Sequence, residues 1–436
     1  MFNDVQETIA WITSRRNDKS SFEHFQAVCE KMGNPQDVFY MVHVAGTNGK
    51  GSTVNYLSDL LLSQGFKVGT LTSPHLISHL DRIKVNQENI KEEAFLKILN
   101  HYYDFFIENE LSMFEMDYLI MCEYFKEEKV DIAVVEVGLG GRLDATNVVH
   151  HTALSIITSI GFDHMEKLGN TLPEICFEKC GIIKENSSVL CGFLDEECMR
   201  VVEKVCKQRH AVLIKADPFF DLGNRKFLFH DKQYELSSYA SYQLANASLA
   251  LKALEKISID KGFVIEEDKA REALKKSLWR GRFEIVRTNP MVIVDYAHTP
   301  DGLENILRAA RELTPKDSNL ICMFGCGGNR SRDRRFEMGE VSGRLSDFTV
   351  ITSDNPRFEE PQAILDDIET GIQRTDGKYI KIIDRKEAIA YAMNNAKKGD
   401  VVILAGKGHE DYQEIKGVKH PMDERVLIRE ILSETC

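Results

Sequence analysis

Met41-Val42-His43-Val44-Ala45-Gly46-Thr47-Asn48-Gly49-Lys50-Gly51-Ser52-Thr53 is the stretch on which the fold turns. Its first five residues read as a buried strand, and a helical period from about Lys50 to Gln64 follows a short glycine-rich loop. Glycines there let backbone N–H groups face an anion, and the helix N-terminus adds its partial positive charge. Lys50 can reach the β- and γ-phosphates of a nucleotide, and Ser52 or Thr53 can hold Mg²⁺. The spacing is a variant of GxxxxGK[ST], because position 44 is Val and Gly51 separates Lys50 from Ser52. A glycine-rich turn with no ligand is the alternative.

Outward from this stretch, short β-branched runs alternate with helical segments, the pattern of a mostly parallel sheet with helices on its faces. Strands are expected at Val68–Leu71, Ile132–Glu136, Leu154–Ile157, Val189–Cys191 and Val212–Ile214. Two helical segments fill Lys91–Glu128, hairpin strands Asp221–Leu236, and a helix Tyr242–Lys256. A second block has expected strands at Val292–Asp295, Leu320–Phe324, Phe348–Thr352, Tyr379–Ile383 and Val401–Ala405. The expected fold is therefore α/β: a P-loop-type central ATPase domain over 1–284 and a smaller Rossmann-like α/β domain over 285–436, with the boundary region near 277–291.

Composition narrows the function classes. The 436 residues are 43% hydrophobic and 28% charged, which excludes disordered, collagen-like and low-complexity chains. A net charge of −13 makes a poor general binder of nucleic acid or anionic membrane, so any bound anion needs a local site. No apolar run approaches the ~20 residues of a membrane span, and the N-terminus has no signal-peptide pattern, so a cytoplasmic location is expected. The 10 cysteines are scattered, which points to reduced thiols. Cys176/Cys180 and Cys322/Cys326 share a spacing of four but lack a second pair at finger-like spacing, and read as ordinary buried residues.

The loop with its flanks, Val44 to Ser52, resembles the Mur ligase superfamily of ATP-dependent amide-bond ligases. Thr72-Ser73-Pro74-His75-Leu76 with Asp81-Arg82-Ile83 is similar to its folate branch, the dihydrofolate and folylpolyglutamate synthases. So are Glu136-Val137-Gly138-Leu139-Gly140-Gly141-Arg142-Leu143-Asp144-Ala145-Thr146-Asn147, Ser159-Ile160-Gly161-Phe162-Asp163-His164 and Glu178-Lys179-Cys180-Gly181-Ile182. Only about 40 residues precede the loop, too few for the UDP-sugar domain of muramyl-peptide ligases.

Forming an amide at neutral pH requires an activated carboxylate, which ATP supplies as an acyl phosphate. Catalysis then rests on alignment and on neutralising charge at the phosphoryl oxygens. The resemblance implies ATP, held by Gly46, Thr47, Asn48, Gly49, Lys50, Gly51, Ser52 and Thr53, and two Mg²⁺ ions, with a monovalent cation as a further candidate. Ser52, Ser73 and Glu136 are its ligands for one metal and His164 for the second. Lys179, as a bare ammonium, would repel Mg²⁺; the family carbamylates the lysine, and that role is carried to Lys179, with Lys184 or a plain salt bridge as the alternative. Asn246 resembles the adenine-contacting position, Arg282 in Trp279-Arg280-Gly281-Arg282 the arginine on phosphate, and Asp295 and His298 groups at the ribose and the phosphate edge. Lys50, His164, Lys179 and His298 form the expected catalytic set; Ser73, His75 and Arg82 the acceptor contacts.

The C-terminal block departs from the folate pattern. Asp295-Tyr296-Ala297-His298-Thr299-Pro300, Gly325-Cys326-Gly327-Gly328-Asn329-Arg330, Asp354-Asn355-Pro356-Arg357 and Gly406-Lys407-Gly408-His409-Glu410 resemble muramyl-tripeptide synthetases, and Asp-Asn-Pro-Arg is their diaminopimelate-type motif. Arg330 and Arg357 can each pair bidentately with a carboxylate, and Asp354, Asn355 and Glu410, next to Gly406, can receive an ammonium. Surface solvation is the alternative for Arg330.

Three readings follow: a ligase adding L-glutamate to a folate- or pteroate-like acceptor; a ligase adding diaminopimelate or another charged amino acid to a different acceptor; and a non-catalytic nucleotide-binding protein. The partners expected are small molecules, with no nucleic acid and no membrane, and the chain is expected to be a monomer.

Overall fold

The computed structural model describes residues 2–15, 21–75, 78–278 and 281–434, with side chains to 431. Leu76, Trp279 and Arg280 of the quoted motifs lie outside the described residues. The chain divides into two units, one of residues 1–237 with 243–277, the other of residues 238–242 with 278–436.

In the first unit the strands are β1 (Tyr40–Ala45), β2 (Val68–Leu71), β3 (Ile83–Val85), β4 (Glu88–Asn89), β5 (Ile132–Glu136), β6 (Leu154–Ile157), β7 (Ser188–Cys191) and β8 (Val212–Lys215). They form one sheet in the order β4-β3-β2-β5-β1-β6-β7-β8, parallel except for the β2-β3-β4 edge. Helices cover both faces, so the central strands are apolar without alternation. Met41, Leu71, Ala133 and Val135 enter one core layer; Val42, Val44, Val134, Leu154 and Ile156 enter the other. Each such burial contributes on the order of 2 kcal/mol. The chain leaves β1 toward β2, returns to β5 beside β1, then builds outward through β6 on the far side. The connections diverge at β1, and an open parallel sheet binds ligands at the carboxyl ends of strands at such a point. The hairpin region is a separate antiparallel sheet of β9 (Phe219–Gly223), β10 (Lys226–Phe229) and β11 (Lys232–Glu235).

The second unit has β12 (Glu284–Thr288), β13 (Met291–Asp295), β14 (Leu320–Phe324), β15 (Phe348–Ile351), β16 (Tyr379–Lys381) and β17 (Val401–Ala405), in the order β12-β13-β17-β14-β15-β16. All pairs are parallel except β12 with β13. The unit begins at Leu278 rather than at 285. β12 is the hairpin partner of β13, and the Tyr296 N–H donates to the Gly281 carbonyl (2.9 Å), which ties the leading loop into this unit. Residues 238–242 join it because Ala240 and Tyr242 pack in its core.

All nine described cysteines are free and buried. Cys176 and Cys180 lie with sulfurs 3.9 Å apart in an apolar cluster with Cys191, Cys198 and Cys206, as ordinary core residues do. No helix among the described residues is long and apolar enough to cross a membrane.

Candidate active site

The glycine loop is built by β1 and finished by the extension of β6. Thr47 N–H donates to the Ser159 carbonyl (2.8 Å) and Asn48 N–H to Ser159 Oγ (3.0 Å); Thr158 Oγ1 donates to the Asn48 carbonyl (2.6 Å). Thr47 and Asn48 therefore give their N–H groups to the loop's own framework, not to a ligand. Gly46 (φ 153°) and Gly49 (φ 83°) sit where a Cβ would run into the Thr158 hydroxyl and the Asn246 amide oxygen. The first helical bond runs from Thr53 N–H to the Gly49 carbonyl, so the N–H groups of Lys50, Gly51 and Ser52 stand at the open helix end. Asn246 Nδ2 donates to Gln243 Oε1 (2.9 Å), and Gln243 Nε2 to Ser52 Oγ (3.2 Å). The Tyr242–Lys261 helix thus reaches the loop through Gln243, a residue given no role in the sequence reading.

Two lysines converge on one carbonyl. Lys50 Nζ donates to Gly46 O (3.0 Å) and Thr47 O (3.2 Å), and Lys179 Nζ donates to the same Gly46 O (3.0 Å). Lys179 is 4% exposed. Burial, reinforced by the Lys50 charge, lowers its pKa to about 7. The Leu172–Cys180 helix that carries it is clamped by the Gly141–Asn147 loop: Arg142 forms a fork on Glu178 (3.0–3.1 Å), and Asn147 Nδ2 donates to the Gly181 carbonyl (3.0 Å). Lys50, Lys179, Asp163 and His164 line one cavity with Gly46, Thr47 and the 137–140 loop. His164 stands at φ 50°, a strained conformation for a residue with a side chain, and its ring nitrogens lie 3.6 Å from Asp163 Oδ2 and 3.8 Å from Glu166 Oε1.

Glu136 ends β5 in register with Val44, so its buried carboxylate stands beside the root of the loop. The Ser73 N–H donates to Glu136 Oε2 (3.2 Å), which brings the expected ligands Ser73 and Glu136 together. Carboxylate and hydroxyl oxygens at the end of a phosphate loop are the donors a hard cation takes, so Glu136, Ser52 and Ser73 fit Mg²⁺. Of the acceptor candidates, Arg82 is buried and lies 3.7 Å from Asp117 Oδ2, whose other oxygen meets His79 Nε2 at 2.7 Å; His75 packs 6.0 Å from the His79 ring. Arg82 therefore has a structural partner of its own.

In the second unit, Arg282 lies over the Tyr296 ring at 5.0 Å. Asp295 is buried and works as a cap: its oxygens accept from Phe283 N–H (2.6 Å) and Ala297 N–H (2.7 Å). Burial raises its pKa against the pull of Arg282. The exposed His298 holds the Tyr296 carbonyl through Nδ1 (2.9 Å).

The four quoted C-terminal motifs all follow parallel strands, β13, β14, β15 and β17, at their carboxyl ends. Two of them, Asp354–Arg357 and Gly406–Glu410, meet around a residue the sequence reading left without a role, Lys407, whose side chain is fully buried. Its Nζ donates to Asn355 Oδ1 (2.6 Å), Glu410 Oε2 (3.0 Å) and the Tyr412 carbonyl (2.7 Å), with Asp354 Oδ1 at 3.7 Å. The groups expected to receive a ligand's ammonium already share one from this chain. Burial opposes ionisation of Asp354, but Lys407 and Arg385 outweigh it and hold that carboxyl below its ordinary value; at Glu410 burial prevails and raises it. Arg357 (φ 52°) donates from Nη1 to the Gly328 carbonyl (2.7 Å), and its Nε lies 3.4 Å from Glu414 Oε2. Gly406 N–H donates to the Asp295 carbonyl (3.0 Å), and Arg330 is solvent-exposed.

A phosphate loop on a parallel sheet, with a second α/β unit whose charged residues gather at its strand ends, defines a nucleotide-binding α/β protein. The Mur ligase middle domain matches residues 44–250, and the Mur ligase, glutamate ligase domain matches residues 281–408. The chain belongs to the Mur ligase family of ATP-dependent ligases. It is 34% identical to the dihydrofolate synthase/folylpolyglutamate synthase of Bacillus subtilis (72% of this chain, 77% of that one). It is 32% identical to the UDP-N-acetylmuramoyl-L-alanyl-D-glutamate–2,6-diaminopimelate ligase of Caldanaerobacter subterraneus subsp. tengcongensis (92% of this chain, 80% of that one). Its fold matches that of Mycobacterium tuberculosis folylpolyglutamate synthase, solved with ADP and AMPPCP, at a TM-score of 0.80 and 23% identity over 93% of this chain and 96% of that one.

Proposed function

We propose that this ligase adds L-glutamate to a folate- or pteroate-like carboxylate through an acyl phosphate. The observation that carries the chemistry is the convergence of Lys50 and Lys179 on the Gly46 carbonyl, in a cavity shared with His164. Two ammonium groups that close repel each other, and an anion between them relieves the repulsion. A γ-phosphate beside Lys50 is one such anion. A carbamate on Lys179 is the other: it forms from CO₂ and a neutral amine, with loss of one proton, and burial lowers Lys179 to about 7, further than the alternative Lys184, which burial lowers to about 8 and whose Nζ is held by the Asn147 carbonyl (2.7 Å) outside the cavity lining.

In the proposed cycle the acceptor carboxylate oxygen attacks the γ-phosphorus and ADP departs. The neutral amine of the amino acid then attacks the acyl carbon, phosphate is expelled and the amine proton passes to solvent or a base. Lys50 and the helix N-terminus hold the phosphoryl oxygens in line, and His164 and Glu136 border the reacting groups. Two Mg²⁺ ions held by Ser52, Ser73 and Glu136 and by His164 with carbamylated Lys179 would neutralise developing charge. The folate-type acceptor rests on the 72–83 and 136–147 loops and on the likeness to the Bacillus subtilis enzyme.

A second reading has one observation in its favour. Asp354, Asn355 and Glu410 are gathered around Lys407, with Arg357 on the same loop as Asp354 and Asn355, and these are the residue types that would hold a diamino diacid such as diaminopimelate, destined for a non-folate acceptor. ADP release with dihydropteroate or a reduced folate, assayed with L-glutamate and with meso-diaminopimelate separately, decides. Glutamate-dependent release supports the first reading; release with the diamino acid alone, or with neither, overturns it.

A further inference from the structure

We infer that Arg425, on the Glu424–Glu434 helix, is a positioning residue for Arg282: through Glu284 it fixes the loop that aims the Arg282 guanidinium, and it acts on phosphate binding without touching the nucleotide. The inference rests on reading Arg282 as the arginine that holds ATP phosphate.

Arg282 stands between two residues in the left-handed region, Gly281 (φ 68°) and Phe283 (φ 48°). A residue with a side chain keeps that conformation only where its surroundings hold it there. On one side the hold is Asp295, whose Oδ2 accepts the Phe283 N–H (2.6 Å), with the Phe283 ring buried. On the other it is Glu284, whose Oε2 accepts the Gly281 N–H (2.8 Å). Gly281 also packs so closely on the Gly408–His409 backbone that a Cβ there would strike the His409 nitrogen. The Glu284 side chain is 28% exposed, so water competes for its carboxylate. Arg425 opposes that competition. Its Nε lies 3.3 and 3.2 Å from the two Glu284 oxygens, its Nη2 lies 3.1 Å from Oε2, and the same Nη2 donates to the Gly408 carbonyl (2.9 Å). One planar guanidinium therefore fastens both backbones that meet at Gly281. Asp423 Oδ1, 3.2 Å from Nη1, orients Arg425 in turn. The Arg282 guanidinium lies over the Tyr296 ring and has no hydrogen-bond partner among the described residues. The loop's hydrogen bonds fix its backbone and leave the fork's donors for an anion.

Calorimetry of a non-hydrolysable ATP analogue with Mg²⁺, on the full-length protein, tests this in wild type, Arg282→Met, Arg425→Met and the double variant. Arg282→Met should weaken binding at least tenfold and Arg425→Met at least fivefold. The double variant should bind within twofold of Arg282→Met, because a residue that acts through Arg282 then has nothing left to position. If Arg425→Met does not fold, Glu284→Ala takes its place in the same cycle, with at least a threefold loss alone and none beyond twofold in Arg282→Met. Equal weakening by Arg425→Met in both backgrounds marks a merely structural arginine and overturns the inference, as does an Arg425→Met that binds like wild type. An Arg282→Met that binds like wild type overturns the reading of Arg282 and the inference with it. The single Arg282 variant thus tells the two failures apart, and the ADP-release assay judges the ligase reading separately.

Discussion

Lys179 is where the structure makes its sharpest chemical commitment. An ordinary lysine pKa is 10.5, whereas that of Lys179 falls to about 7, through burial first and Lys50 second. At pH 7.5 about three-quarters of Lys179 is then the neutral amine, against about one molecule in a thousand for an exposed lysine. Only the neutral amine captures CO₂, so Lys179 starts with an advantage of several hundredfold over the exposed lysines. Incubation with ¹³C-bicarbonate should give a dominant carbamate signal in the carbon spectrum that is lost in Lys179→Met and kept in Lys184→Met, the other lysine that burial lowers, to about 8. Its intensity should rise between pH 6 and 8 and level off above, as the neutral fraction saturates; an ordinary lysine would gain about tenfold per pH unit throughout. Stability in CO₂-free buffer should follow the same titration. Between pH 7 and 10.5 the unfolded chain binds a proton on Lys179 that the folded chain does not, so stability rises with pH across this window and is lost as pH falls to 7. From pH 7 to 9.5 wild type should gain up to about 3 kcal/mol relative to Lys179→Met in urea unfolding. A signal that keeps rising tenfold per unit to pH 9, together with parallel unfolding curves, would refute the assignment of a low pKa and the carbamate with it.

Lys50→Ala and His164→Ala should each lower ADP formation on the order of a hundredfold or more, since both border the phosphoryl transfer; steady-state kinetics at saturating ATP read this. Gly49→Ala should weaken ADP binding at least tenfold in calorimetry, because its Cβ displaces Asn246 and a positive φ is strained for alanine by about 1–2 kcal/mol. Arg385 and Glu424 form a wholly buried ion pair at 2.8 Å, and Arg385 also donates to the Ser353 and Ala405 carbonyls that precede the pocket loops. Arg385→Met should cost about 3–5 kcal/mol in denaturant unfolding, and Arg385→Met/Glu424→Leu much less, since the single change leaves a buried charge unpaired.

The central strands were legible because both faces are buried and the apolar runs are unbroken: β1, β2, β5, β6 and β17 fall within a residue of their expected limits. The short antiparallel edge strands β3 and β4 were not, because Asp81-Arg82-Ile83 reads as a polar loop and three paired residues give no period. The site behaved likewise. Lys50 and Lys179 could be read from their motifs, since each sits at a fixed offset from a strand or a helix. Ser159 and Gln243 belong to quoted stretches and Thr158 falls between two of them, yet these residues, which build and reach the loop, carry no signal of their own: an uncharged hydroxyl or amide is distinguished only by its hydrogen bonds. The depressed pKa of Lys179 was equally invisible, because it depends on burial and on a lysine 129 positions away in the chain.

The same limit explains why the amino-acid pocket resisted the sequence. Motif logic assigns an anion to each arginine and a cation to each carboxylate, as if each waited for a ligand. In the folded unit those charges are largely one another's partners: Lys407 with Glu410, Arg357 with Glu414, Arg385 with Glu424. A buried pocket cannot keep several bare charges at tolerable cost, so selectivity must come from the small residue left after internal pairing. That residue is a difference between nearly equal numbers of opposite charges, and one neutralising substitution can reverse its effect on a substrate carboxylate. The strand-end motifs therefore mark where the charges gather, and what the unit can hold is set by whichever of them stay unpaired once Lys407, Arg357 and Arg385 have met Glu410, Glu414 and Glu424.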